Sequence, residues 1–171
     1  MMNLDDLSML DLNDLMKMYD NIDGMFAYPP LDIRIKYLPG ARKVEKIANG
    51  DWVDLANLEE VTLKAGEFAL VNLGVAMELP EGWEAHVAPR SSTFKKWGII
   101  QVNSVGLIDA SYCGDDDIWF MPVYATRDVV IPAGTRICQF RVIENQPPLN
   151  FIEVEHLDNE NRGGCGSTGE R

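Results

Sequence analysis

The chain has 171 residues, 46% hydrophobic and 25% charged, the profile of one globular domain with room for a sizeable core. Its net charge of −12 argues against a duplex nucleic acid as ligand, which takes clustered Lys and Arg, but leaves room for a phosphate compound held by a few local cations. No run reaches the roughly 20 apolar residues of a membrane span, and acids stand where a secretory signal carries basic residues.

Three cysteines, Cys113, Cys138 and Cys165, are widely spaced. An odd count without a Cys-x-x-Cys pair argues against a disulfide framework and a zinc site. These features together suggest a cytoplasmic protein without membrane contact.

Residues 1–30 read as a helical extension. Leu12, Leu15, Met16, Tyr19 and Ile22 recur at helical spacing, Asn3 is a candidate N-cap, and Asp5 and Asp6 suit the positive end of the helix dipole. From residue 31 the period changes to two. Ile33, Ile35 and Tyr37 alternate with Asp32, Arg34 and Lys36, which predicts a half-buried strand. Further β-like runs cover 68–79, 84–88, 98–102, 118–125, 136–143 and 151–154. Pro39-Gly40, Asn49-Gly50, Pro80-Glu81-Gly82 and Pro132-Ala133-Gly134 separate them as turns. Many short strands predict an all-β barrel or sandwich over 31–157, with 158–171 as a Gly-rich flexible arm.

Four segments carry candidate chemistry. In 103–114, Gly106 and Gly114 bracket a hairpin whose backbone could read a flat base edge, and Asp109 follows two apolar residues as a candidate general base. In 88–93, Arg90 offers a fork of donors to phosphate beside the hydroxyls of Ser91 and Ser92. In 134–139, strand alternation sets Arg136 and Gln139 on opposite faces, so they meet one ligand only if the strand is bulged or starts late. In 162–169, successive glycines could wrap a phosphate. Each segment alone also has a plain structural reading: a turn aspartate, a polar loop, an edge-strand arginine, a loose tail. Asp115-Asp116-Asp117 reads as a solvated acidic turn, and His86 as a structural strand residue.

As an ordered set, these segments and Gly50-Asp51-Trp52-Val53-Asp54-Leu55 resemble the five motifs of the trimeric dUTP pyrophosphatases, over residues 31–169. The likeness is greatest to forms from Gram-positive bacteria and their phages. It implies a jelly-roll-like β subunit, a homotrimer with shared active sites, and Mg²⁺-dependent cleavage of dUTP to dUMP and pyrophosphate, which keeps uracil out of DNA and supplies dUMP for thymidylate synthesis. By the same match Asp109 activates the attacking water. Asn103, Gly106 and Ile108 belong to the uracil-reading hairpin, and Tyr112 packs under the deoxyribose and excludes a 2′-hydroxyl. Arg90, Ser91, Ser92 and Gln139 match phosphate-binding positions, Arg136 matches a site-ordering arginine, and Arg162, Ser167 and Thr168 match the closing arm. Asp54 matches the acid that supports Mg²⁺ through water.

Two departures stand out. Two more residues than usual separate Gly50 from Asp54, so Asp51 competes for that role. Cys165 takes the place of the Phe that stacks on uracil, which leaves Phe120, Trp119 and Trp97 as candidate base-covering aromatics. The related dCTP deaminases need a Glu in the strand after Asp109, and 118–125 has none. A binding role is a further expectation: the acidic helix in 1–25 could engage a regulatory protein partner.

Overall fold

The computed structural model describes residues 30–45 and 50–163. The helix expected in 1–25 and the arm positions Cys165, Ser167 and Thr168 lie outside them. Alternation of apolar and polar side chains produces short strands throughout. They are β1 (Arg34–Tyr37), β2 (Val53–Ala56), β3 (Val61–Leu63), β4 (Phe68–Asn72), β5 (Val75–Glu78), β6 (Trp83–Pro89), β7 (Ile99–Gln101), β8 (Gly106–Ile108), β9 (Phe120–Ala125), β10 (Val129–Ile131) and β11 (Arg136–Glu144), with one short helix among the described residues, α1 (Thr93–Trp97), between β6 and β7.

All pairings are antiparallel. The strands form four small sheets: β1-β5, β10-β3, β2-β11-β6-β8 and β4-β9-β7. Each contributes to one apolar core, through Met77 and Val75 of β5, Leu63 and Ile131 of β3 and β10, Leu55, Val87 and Phe140 of the largest sheet, and Met121, Val123 and Ile99 of the fourth. This is the all-β, jelly-roll-like architecture expected, since period-two strands bury one face and must pack it against another sheet.

Three expectations need correction. The run 68–79 is two strands in two sheets, because Gly74 takes a φ of 71° and Asn72 Oδ1 accepts from Gly74 N at 2.7 Å, turning the chain between β4 and β5. The run 151–154 forms no strand. Phe151, Ile152 and Val154 are exposed and find no ladder partner among the described residues. Trp97, a candidate base cover, packs against the core from α1 instead.

One buried polar residue sets the start of β11. Asn57 is 1% exposed, and its Nδ2 donates to Glu59 O at 2.6 Å and Pro132 O at 3.0 Å. Its backbone carbonyl accepts from Gly134 N at 2.8 Å. A buried amide must find such partners, and here they fix the 132–135 turn that delivers Arg136.

Candidate active site

Asp54, Arg90, Arg136 and Gln139 meet on the side of the largest sheet that faces away from the core. Asp54 on β2 stands opposite Gln139 on β11, which in turn stands opposite Ala88 on β6. Asp54 Oδ1 lies 2.7 Å from Arg90 Nε and Oδ2 lies 3.0 Å from Arg136 Nη1. Its side chain is 7% exposed, against 27% and 40% for the two arginines. The guanidinium faces left over are donors for an anion. Ser91 is exposed and Ser92 half-buried at the N-cap of α1.

A bulge makes this grouping possible. Arg136 pairs with Ala56, but Cys138 pairs with Leu55, so Ile137 is an extra residue on β11. Ile137 and Cys138 both turn inward, and Arg136 regains the face of Gln139. The condition set by strand alternation is therefore met. Burial, and secondarily the charge of Asp54, push the Cys138 thiol well above its ordinary range, which leaves it inert. Gln139 Nε2 donates to Pro89 O at 3.4 Å.

The second grouping is a cleft of about 300 Å³ along β8, at the edge of the same sheet. It is lined by Asn103, Gly106, Ile108, Asp109, Tyr112 and Phe120, with Trp119 and Val87 among its walls. β8 is an edge strand, so its outer backbone groups are free of ladder bonds. A Cβ on Gly106 would fall 3.3 Å from Val87 Cβ, so glycine lets the hairpin lie close on β6. Tyr112 O–H donates to Ile118 O at 3.1 Å, which holds the ring across the loop. Phe120 is 41% exposed, while Trp119 is 1% exposed and packs edge-on against Phe140. Phe120 is thus the freest of the three candidate aromatics to meet a ligand.

Asp109 is exposed, not embedded in apolar surroundings as its neighbours in sequence suggested. Its Oδ1 accepts from Ser111 N at 2.9 Å and from the Ser111 hydroxyl. The Ser111 hydroxyl first, then the Ser111 and Tyr112 backbone N–H groups, hold its carboxyl below the usual carboxylate range. Sequence reasoning passed over Ser111, although an acceptor two residues before a Ser is the signature of an Asx turn. It also passed over Thr93, whose hydroxyl donates to Ile137 O.

Asp109 and Arg90 stand far apart within one chain. β8 runs against β6, with Gly106 opposite Val87 and Ile108 opposite Ala85. Asp109 therefore leaves beyond the Ala85 end, while Arg90 follows Pro89 at the other. Six residues of strand separate the levels of Glu84 and Arg90, roughly 20 Å. Arg162 is exposed on the chain that trails away after β11. His86 sits on β6 with Nε2 at 2.6 Å from Glu84 Oε1, a structural pair. In the acidic turn, Asp117 Oδ2 accepts from Gly114 N at 2.7 Å and Lys36 pairs with Asp115 at 3.4 Å. Among the described residues Cys113 and Cys138 are free thiols, and no helix is long and apolar enough to cross a membrane.

The family model for dUTPase matches residues 53–169. The chain is 56% identical over 140 residues to the SPbeta prophage-derived deoxyuridine 5'-triphosphate nucleotidohydrolase YosS of Bacillus subtilis, covering 81% of this chain and 99% of that protein. A point variant of the Staphylococcus bacteriophage 80alpha dUTPase, solved with dUpNHpp, superposes with a TM-score of 0.68 at 22% identity, covering 81% of this chain and 98% of that one. A dUTPase variant from phage phi11 of S. aureus, described with a structural Mg(II) ion, gives a TM-score of 0.61 at 19% identity, covering 75% and 99%. At these identities the two structures speak to the shared fold.

Proposed function

The chain belongs to the dUTPase family, and from that membership we propose that it hydrolyses dUTP to dUMP and pyrophosphate, with Asp109 activating the water. The supporting observation is the cleft that gathers Asn103, Gly106, Ile108, Asp109, Tyr112 and Phe120 around one carboxylate. Uracil lies against the β8 hairpin, whose backbone groups match the donors and acceptors of its edge. The Tyr112 ring lies under the deoxyribose, and Phe120 covers the base where Cys165 lacks a ring.

In the reaction, the ionised Asp109 carboxylate takes a proton from water as its oxygen attacks the α-phosphorus. The bond from the α-phosphorus to the bridging oxygen breaks, and pyrophosphate leaves with that electron pair. Hydrogen bonds from Ser111 favour the ionised form of Asp109 and aim it. Arg90, Arg136, Ser91, Ser92 and Gln139 bind the phosphates, and Arg162, Ser167 and Thr168 close over them. Mg²⁺, when bound, neutralises charge on the phosphates. The donor set fits an ion carried in on the substrate. No three His, Cys, Asp or Glu side chains converge among the described residues, and Asp54 keeps one lone pair per oxygen for metal-bound water.

The active unit is a homotrimer with shared sites. The roughly 20 Å between the levels of Asp109 and Arg90 supports this, because one chain presents its base and its phosphate donors at opposite ends of β6. Leu149, Phe151, Ile152, Val154 and Leu157, all exposed on the segment after β11, are further surface that a neighbouring copy would cover. The protein works in the cytoplasm, where its free thiols are kept reduced.

A nucleotide panel with Mg²⁺ tests this reading by following pyrophosphate release. dUTP should be cleaved and dTTP, UTP and dCTP spared. Asp109→Asn should abolish turnover and leave dUTP binding within about tenfold. Absence of pyrophosphate from dUTP would overturn the activity, and an active Asp109→Asn protein would remove the base.

A further inference from the structure

Thr93 is one of three buried polar side chains among the described residues, 1% exposed at the first position of α1. A buried hydroxyl is costly unless it is bonded. Thr93 Oγ1 donates to Ile137 O at 2.6 Å. Ile137 is the extra residue of the β11 bulge, paired with neither β2 nor β6. A buried carbonyl outside the ladder needs a donor from elsewhere, and the 90–93 turn supplies two: the Thr93 hydroxyl, and Arg90 N at 3.4 Å. Thr93 N closes the turn onto Arg90 O at 2.9 Å, and Arg90 Nη1 reaches Arg136 O at 3.5 Å.

We propose that Thr93 is a positioning residue for phosphate binding: its hydroxyl clamps the Arg90 turn onto the bulge that turns Arg136 outward, so that both guanidiniums meet Asp54 in a fixed array. The proposal rests on the reading of Arg90 and Arg136 as phosphate donors. Neither the turn nor the bulge is stable in this form alone. The turn needs an acceptor for a buried hydroxyl, the bulge needs a donor for a buried carbonyl, and each satisfies the other. A valine at 93 would fill the same volume and leave the Ile137 carbonyl short of its best donor. The apolar core beneath α1 would be untouched, so the change falls on aim rather than on folding.

The test compares Thr93→Val, Thr93→Ser and Arg90→Ala in the full chain. Its readouts are KM and kcat for dUTP with Mg²⁺, inhibition by inorganic pyrophosphate, and inhibition by deoxyuridine, which carries no phosphate. Thr93→Val should raise KM and weaken pyrophosphate inhibition by about five- to tenfold. kcat and deoxyuridine inhibition should stay within about twofold, and Thr93→Ser should restore the parent values. If pyrophosphate and deoxyuridine weaken equally, or if neither changes while Arg90→Ala loses pyrophosphate, Thr93 is structural only and the proposal falls. If Arg90→Ala leaves pyrophosphate inhibition intact, the phosphate reading itself is wrong. Should the valine protein not fold, Thr93→Cys keeps the volume with a weaker donor and is judged by the same split between the two inhibitors.

Discussion

Arg90 Nε lies 2.7 Å from one oxygen of Asp54, while the other oxygen holds Arg136 at 3.0 Å. One carboxylate on β2 thereby sets the spacing of two arginines that come from the end of β6 and the start of β11. Asp54 is nearly enclosed, but both arginines reach solvent. Asp54→Asn should therefore destabilise the fold by about 1–3 kcal/mol, below the cost of breaking a fully buried pair. Thermal denaturation checks this. KM for dUTP should rise about tenfold, because the arginines lose their common partner and repel each other. An unchanged KM would show that they need no such spacer.

Ser111 sets the pH range of the base. Its hydroxyl and N–H favour the ionised form of Asp109 and lower the carboxyl's pKa. A group whose folded pKa is depressed contributes stability above its unfolded pKa and loses it as pH falls through the folded pKa. The same sign holds for activity: the base fails only when pH falls through the depressed value. Ser111→Ala should move the acid limb of kcat/KM upward, toward the ordinary carboxylate range. A pH–rate profile reads it, and an unmoved acid limb would detach Ser111 from the base.

Tyr112 places its ring across the cleft through one bond, from its hydroxyl to Ile118 O. If the ring excludes a 2′-hydroxyl by contact, Tyr112→Phe should keep the preference for dUTP over UTP within about threefold. Tyr112→Ala should relax it by at least tenfold, the scale of losing one wall of a pocket. Ratios of kcat/KM for the two nucleotides decide it. A phenylalanine variant as permissive as the alanine one would move the selectivity to the hydroxyl.

Sharing of sites between chains can be read by complementation. The Asp109→Asn protein should be nearly inactive, and the Arg90→Ala protein should keep only a small, measurable rate. Co-expressed in equal amounts, they should regain about one site in four by random assortment, because an intact base and an intact arginine can then come from different subunits. A mixture no more active than its parts would place both groups in one chain's site.

Much of this molecule was legible in its residues. Ile33, Ile35 and Tyr37 announced β1, and the runs at 84–88, 118–125 and 136–143 announced β6, β9 and β11, because alternation is a local property that burial of one face enforces. The cleft residues were legible through motif order, and Asn103, Gly106, Ile108, Asp109 and Tyr112 do converge. The strands β2, β8 and β10 span three or four residues each, and, unlike β1, none has alternation running on beyond its ends to mark it. Gly74 hid a change of sheet inside one apolar run. Residues 151–154 carry the alternation of a strand yet lack a ladder partner among the described residues, since a pattern proposes a strand and only an available edge completes it.

For Arg136 and Gln139 the sequence by itself determined a condition: alternation forbids a common face unless the strand is bulged. Whether it is bulged was decided by the tertiary structure. The extra residue Ile137 is tolerated because its carbonyl finds the Thr93 hydroxyl and the Arg90 N–H, donors 44 residues or more away along the chain. Periodicity reports on neighbours in sequence, and a hydrogen bond between distant turns leaves no trace in it.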